Sequence, residues 1–233
     1  GMVRSMMRLL GLSLPVPDFS TLSRRCKGLY VQQPWPRAKG PITLIVDSTG
    51  LSSHRRSGWN ETKHRTGKTR KSWRKLHVGL DPDSGEIVAS RLATERIGDE
   101  TALPDLIADV DTSVARFLAD GAYDGVGVFT CLQNKFGPEV EIIIPPPSSA
   151  VPGLNDQRDA HIESITRDGR MKWQAETDYN LRAVVEAQIG RWKTIIGGGL
   201  KSRNIDAQNT EIRIAIRVLN RMTSLGRATF EPA

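Results

Sequence analysis

Hydrophobic and polar positions divide the chain into short, regular elements from residue 42 onward. Ile42-Thr43-Leu44-Ile45-Val46 is a continuous β-favouring run with Asp47 directly after it, the pattern of a buried central strand ending at an acid. Residues 72–81 read as a second strand, with Trp73, Lys75, His77 and Gly79 on one side of the alternation. Asp81-Pro82-Asp83-Ser84-Gly85 is a turn, and Glu86 to Ala93 a third strand. Leu103, Leu106, Ile107 and Val110 fall at helical spacing behind Asp99, which is placed to cap that helix. A fourth strand, Val114 to Ala119, ends at Asp120, and a helix follows from Val126 to Asn134. Val140 to Ile144 is a fifth strand, closed by three prolines. Residues 148–177 are polar and irregular, with room for one helix. Helices near 179–196 and 206–225 end the pattern, with Gly197-Gly198-Gly199 stopping the first.

The order is βββαβαβ, a polar insert, then helices. Its simplest packing is a mixed five-stranded α/β sheet flanked by helices, and that is the order of the RNase H-like fold. Ahead of it, Asp18 or Ser20 is placed to N-cap a short helix with a basic end at Arg24 and Arg25, and residues 34–40 read as a linker. The pattern therefore divides into an N-terminal segment and linker at 1–40 and a sheet-bearing domain at 41–233, with a polar insert at about 145–177.

Composition narrows the partners. The chain has 233 residues, 38% of them hydrophobic, which is enough for one sizeable core, and no apolar run is long enough to span a bilayer. Cys26 and Cys131 form no metal-ligand spacing with each other or with the four histidines, and two isolated thiols fit a reducing cytoplasm. The formal net charge of +7 favours polyanions. Between residues 55 and 75 the basic residues, Arg70, Arg74 and Lys75 among them, interleave with Trp59 and Trp73, a combination suited to phosphates and bases.

Read singly, a strand-end Asp is a turn cap. Two of them, Asp47 and Asp120, at the ends of strands that neighbour each other in such a sheet, repel unless a cation lies between them. Mg²⁺, with its hard oxygen ligands, suits that place. A third acid comes from the helix near 179–196, where Tyr179, Arg182, Glu186 and Lys193 fall within about 60° of one another. Ala183, Val184 and Ile195 are expected to pack on the opposite side. An ordinary surface helix with an Arg182–Glu186 pair explains the same spacing equally well. His77 reads as a core or surface histidine, and Trp173 as a packing anchor rather than a base-stacking group.

Tyr179-(2)-Arg182-(3)-Glu186-(6)-Lys193 resembles the Y-R-E-K signature of the insertion-sequence-4 and insertion-sequence-5 transposase superfamily. Val46-Asp47-Ser48-Thr49-Gly50 and Ala119-Asp120-Gly121-Ala122-Tyr123-Asp124 resemble the segments around its first two catalytic acids. Residues 73–77 and 16–25 also resemble insertion-sequence-5 members, and the likeness runs from about Leu12 to Gly226. It implies an N-terminally shortened DDE transposase with Asp47, Asp120 and Glu186 as the catalytic, metal-binding triad for two Mg²⁺ ions, which Mn²⁺ would replace. Tyr179, Arg182 and Lys193 would contact DNA, and Asp124 would not be a ligand. The implied activity is cleavage at element ends and strand transfer by a homodimer on double-stranded DNA, at the bacterial nucleoid. A plain nuclease on the same fold, and a truncated DNA-binding remnant that represses transposition, stand as alternatives.

Overall fold

The computed structural model describes residues 2–26, 29, 40–53, 73–153 and 155–226. Two helices, α1 (Met2–Leu9) and α2 (Phe19–Arg25), precede the sheet, and neither buries a side chain. Asp18 is the N-cap of α2, its carboxylate accepting from the Ser20 and Thr21 amides.

The sheet is built from β1 (Ile42–Ser53), β2 (Trp73–Asp81), β3 (Glu86–Thr94), β4 (Val114–Leu118) and β5 (Glu141–Ile143), in the order β3-β2-β1-β4-β5. Strands β1 to β3 are antiparallel, while β4 and β5 run parallel to β1. This is the RNase H-like arrangement. A two-residue strand, β6 (Gly199–Leu200), also joins β1, so the sheet has one strand more than the pattern predicted. It forms because the glycine run brings the chain flat against the end of β1, where the Ser52 amide donates to the Gly198 carbonyl at 3.0 Å.

Both faces are covered, as a sheet whose central strand carries three consecutive buried residues (Leu44, Ile45, Val46) requires. Leu44, Val46 and Phe117 meet α3 (Asp99–Ile107) and α4 (Val126–Phe136) through Leu103, Leu106, Phe129 and Leu132. Ile45, Leu51 and Leu118 face the other layer: α6 (Arg170–Glu176), α7 (Arg182–Ile195) and α8 (Ile205–Ser224), represented by Trp173, Val185, Trp192 and Ile216.

Four local readings change. β1 does not end before Asp47 but continues to Ser53, because β2 stays paired along it as far as Ser52–Trp73. Asp99 is the first residue of α3 and not its cap; Gly98 holds that position without a side-chain bond, and the Asp99 carboxylate turns to Lys75 and His77. The polar stretch before α7 contains two helices, α5 (Asp156–Asp168) and α6. Asn155 caps α5, and Arg158 anchors it through Asp124. Finally, α7 packs through Val185, Gln188 and Trp192, leaving Ala183, Val184 and Ile195 exposed.

Candidate active site at the break between β4 and β6

The edge of β1 changes neighbours in the middle of the strand. It pairs with β4 as far as Ile45–Leu118 and with β6 only from Ser52–Gly199. Asp47 lies in that interval and alternates with Ile45 and Leu51, which face α7. Asp120 lies two residues beyond the end of β4. Its Oδ1 accepts from the Ala122 amide at 3.0 Å and caps the single turn Gly121–Tyr123. Gly121 allows that turn to pass the end of β5: a Cβ there would stand 3.1 Å from the Pro145 carbonyl.

Helix α7 supplies the third acid. Tyr179, in a short turn before it, is buried and stacks at 5.2 Å against Trp173. Arg182 Nη1 donates to the Tyr179 hydroxyl at 3.1 Å, and its Nη2 lies 3.4 Å from Asp47 Oδ2 and 3.8 Å from Glu186 Oε1. The guanidinium is 14% exposed, Asp47 15% and Glu186 60%. A shielded cation thus stands between a half-buried acid on the sheet and an open one on the helix.

Burial pushes the Asp47 carboxyl above its ordinary range. The amide of Ser48, donating at 2.8 Å, and the charge of Arg182 pull it back, while Asp120 and Glu186 push it further up. Both other acids therefore act on Asp47, and Arg182 is the one cation in an ion pair with Asp47 and Glu186 among the described residues. The donor set is entirely carboxylate oxygen, the chemistry that Mg²⁺ and Mn²⁺ take. Among the described residues, no three acidic, histidine or cysteine side chains are closed on one point at ligand distance.

The other singled-out residues divide. Tyr179 and Arg182 lie at the acid cluster; Lys193 is exposed on the next turns of α7 with no ion pair among the described residues. Arg24 and Arg25 are exposed in the last turn of α2. Arg74 Nε donates to Gln208 at 3.1 Å, and Lys75 Nζ lies 2.7 Å from Asp99, so both are engaged within the fold. Arg70, Trp59 and the rest of the basic run before Trp73 lie outside the described residues. Asp124, 1% exposed, is held by the Arg158 guanidinium and is thereby removed from the acid cluster. Trp173 is buried, donates to His161 at 3.0 Å and has no face free for a base.

Sequence reasoning missed the surroundings of His77. The side chain is fully buried, and its Nδ1 is 3.2 Å from both the Tyr123 hydroxyl and Asp99 Oδ1. Alternation had placed Lys75 and His77 on one side of β2, but only the fold brings Asp99 and Tyr123 to that side.

Two family models, both described as a transposase DDE domain, match the chain, one over residues 38–221 and the other over residues 1–55. Among solved structures, the chain aligns with a chain of the crystal structure of the Mos1 mariner paired end complex with Mn. The two are 12% identical, with 98% of this chain and 71% of that chain covered and a TM-score of 0.27. That likeness is too slight to bear on the site.

Proposed function

Because the chain belongs to the DDE transposase domain family, we propose that Asp47, Asp120 and Glu186 are its metal-binding catalytic triad, and that it cuts DNA at the ends of an insertion sequence and joins them to a target. The observation that carries this reading is the Arg182 guanidinium on α7, 3.4 Å from Asp47 on β1 and 3.8 Å from Glu186, with Asp120 just beyond the end of the neighbouring β4.

Each residue has a role. Asp47, rigid in the central strand with one oxygen held by the Ser48 amide, is the fixed ligand. Asp120, held by its own turn, keeps a second oxygen available. Glu186, on an exposed helix face, is the ligand free to adjust to the substrate. Two divalent ions, Mg²⁺ or Mn²⁺, would supply activation of the attacking oxygen and stabilisation of the leaving one. Arg182 offsets the carboxylate charge, and its guanidinium is suited to a DNA phosphate. Tyr179 orients Arg182, and exposed Lys193 extends the cationic track along α7. No side-chain nucleophile is required: water cuts the element end, and the 3′-hydroxyl released then attacks the target phosphate.

The finer assignments form part of the same proposal. The signature residues and the segments around both Asp residues favour the insertion-sequence-5 group. Residues 1–40 are read as a DNA-binding portion and linker and 41–233 as the catalytic domain, with α5 and α6 as its insertion. Joining two ends favours a homodimer on DNA, with the nucleoid as its site of action. No described helix is long and apolar enough to cross a membrane.

A strand-transfer assay with pre-cut element ends, Mg²⁺ and a supercoiled target tests the proposal. Joined products from the wild-type chain and none from Asp47→Ala are expected. Cleavage without joining would make the chain a nuclease, and DNA binding with neither reaction would make it a repressor.

A further inference from the structure

The open interval along β1 ends at a basic cleft that the triad does not use. β6 closes the interval, pairing Ser52 with Gly199 and Ser53 with Leu200. Where α7 gives way to the glycine run, residues 196–201 and Arg203 line a cleft of about 460 Å³. Lys201 and Arg203 are exposed, and neither forms an ion pair among the described residues.

The loop that carries them is braced from behind. The Glu211 carboxylate accepts from the Lys201 amide at 2.9 Å and from the Ser202 amide at 2.8 Å. Buried Gln208 donates to the Ser202 carbonyl at 3.0 Å and accepts from Arg74 Nε at 3.1 Å. With its backbone bonded to α8, the loop offers two unpaired cations on a fixed frame, so a ligand does not have to order it first. Gly198 points the same way. Gly197 has a φ of +110°, which favours glycine, and a Cβ on Gly199 would meet Ser52 Oγ at 2.7 Å. Gly198 answers to neither demand: its φ is not left-handed, and a Cβ there would have nothing within 4 Å. Its carbonyl is held by the Ser52 amide at 3.0 Å and hydroxyl at 3.3 Å. Bare, anchored backbone beside two cations lets an anion approach closely.

Position decides which anion. Asp47 and Ser52 lie on one strand, five residues and roughly 17 Å apart. Glu186 and Ile196 lie along α7 and its cap, ten residues and about 15 Å apart. Sheet and helix thus give the same span between the acids and the cleft, and exposed Lys193 lies along the helical path. At about 3.4 Å per base pair, that span is about five base pairs of duplex DNA.

We propose that Lys201 and Arg203, beside the bare backbone of Gly198, hold one phosphate of the DNA backbone about five base pairs from the phosphate that reacts. The inference rests on the transposase reading of the acids and adds a contact to it. The cleft sets the register of the duplex along β1 and α7 and takes no part in the chemistry. A backbone contact of this kind positions the duplex without reading its sequence.

The test is binding of the full chain to a labelled duplex carrying the element's terminal repeat, without metal and across a range of salt, followed by phosphate ethylation interference on the same duplex. The variants are Lys201→Gln with Arg203→Gln, and Gly198→Leu, which fills the cleft without changing charge. For the double variant, affinity should fall about tenfold at roughly 0.1 M salt, and the plot of log K against log salt should flatten by about one. Gly198→Leu should also weaken binding. Both should keep the wild-type melting temperature and lose interference at one phosphate about five nucleotides from the cut. Wild-type affinity, slope and interference in the double variant overturn this inference alone, whatever Mg²⁺-dependent nicking shows. An even loss over all phosphates, with no single position released, also overturns it, because that is the effect of net charge. One position released in the variants, beside a wild type that makes no Mg²⁺-dependent nick, overturns the triad reading while the phosphate contact stands. If Gly198→Leu does not fold, the double variant, whose side chains are both exposed, decides.

Discussion

Arg182 Nη2 lies 3.4 Å from Asp47 Oδ2 while its Nη1 donates to the Tyr179 hydroxyl at 3.1 Å. One guanidinium therefore links the signature helix to the acid of the central strand. The Tyr179–Arg182–Glu186 spacing, which an i,i+4 surface pair would explain equally well, acquires a specific meaning from that link. The Arg182–Glu186 contact itself, at 3.8 Å with Glu186 largely exposed, contributes little to stability.

The position of Asp47 sets a pH dependence. Its folded carboxyl titrates above the ordinary 3.8, chiefly because it is buried. The protonated form is thus favoured by the fold: the stabilising contribution is present at low pH and is lost as pH rises from 3.8 through the folded value. A bound cation reverses this balance. The Mn²⁺-induced rise in melting temperature should vanish as pH falls through the raised Asp47 value. In Arg182→Gln, which lacks the offsetting charge, the loss should begin at higher pH. Melting curves with and without Mn²⁺ across the acid range measure both effects.

Asp124 and Arg158 form a bidentate pair with side chains 1% and 7% exposed, and Arg158 also donates to the Val151 carbonyl at 3.1 Å. The pair ties the turn after Asp120 to helix α5. Arg158→Met leaves a buried carboxylate without its partner and should cost about 3–5 kcal/mol in urea unfolding. Arg158→Met with Asp124→Leu should recover much of that loss, because the uncompensated charge is gone.

Trp173 is an anchor for Tyr179. It is buried, meets the Tyr179 ring at 5.2 Å and donates to His161, whose Nε2 lies 2.8 Å from the Ile142 carbonyl. Trp173→Ala should destabilise the protein by about 3–5 kcal/mol, read by thermal or urea unfolding without DNA. A stable Trp173→Ala chain with weakened DNA binding would instead favour base stacking.

Gly79 is a close-packing position on β2. A Cβ there would stand 2.9 Å from Leu44 Cδ1 and 3.0 Å from Ala89 Cβ, and the Ala89 atom cannot retreat without moving β3. Gly79→Ala should cost about 1–3 kcal/mol through overpacking, measured by the urea midpoint.

The strand order was legible because each strand has a clean run bounded by turn residues, as in Ile42–Val46 and Glu141–Ile143. The length of β1 was not: Ser48 to Ser53 has little apolar pattern and is strand only because β2 and β6 pair with it. One helix was expected where α5 and α6 both lie, because a polar helix leaning on the domain through Arg158 and Trp173 has no apolar stripe to detect. The side of α7 that would pack was misread for a related reason. Its buried positions include Gln188, and the exposed ones include Val184 and Ile195, so hydrophobicity alone points the wrong way. The proposed triad acids were singled out by motif, while the contacts of His77 with Tyr123 and Asp99 depend on α3 lying across β2, a tertiary fact.

The central claim is tested most directly by nicking of a supercoiled plasmid carrying the element's flanking repeats, with Mg²⁺ or Mn²⁺, by the wild type and by Glu186→Ala. Glu186 is 60% exposed and no part of the core, so its loss should leave folding and DNA binding intact. The account predicts metal-dependent nicking by the wild type and none by the variant. Nicking by Glu186→Ala at the wild-type rate would contradict it.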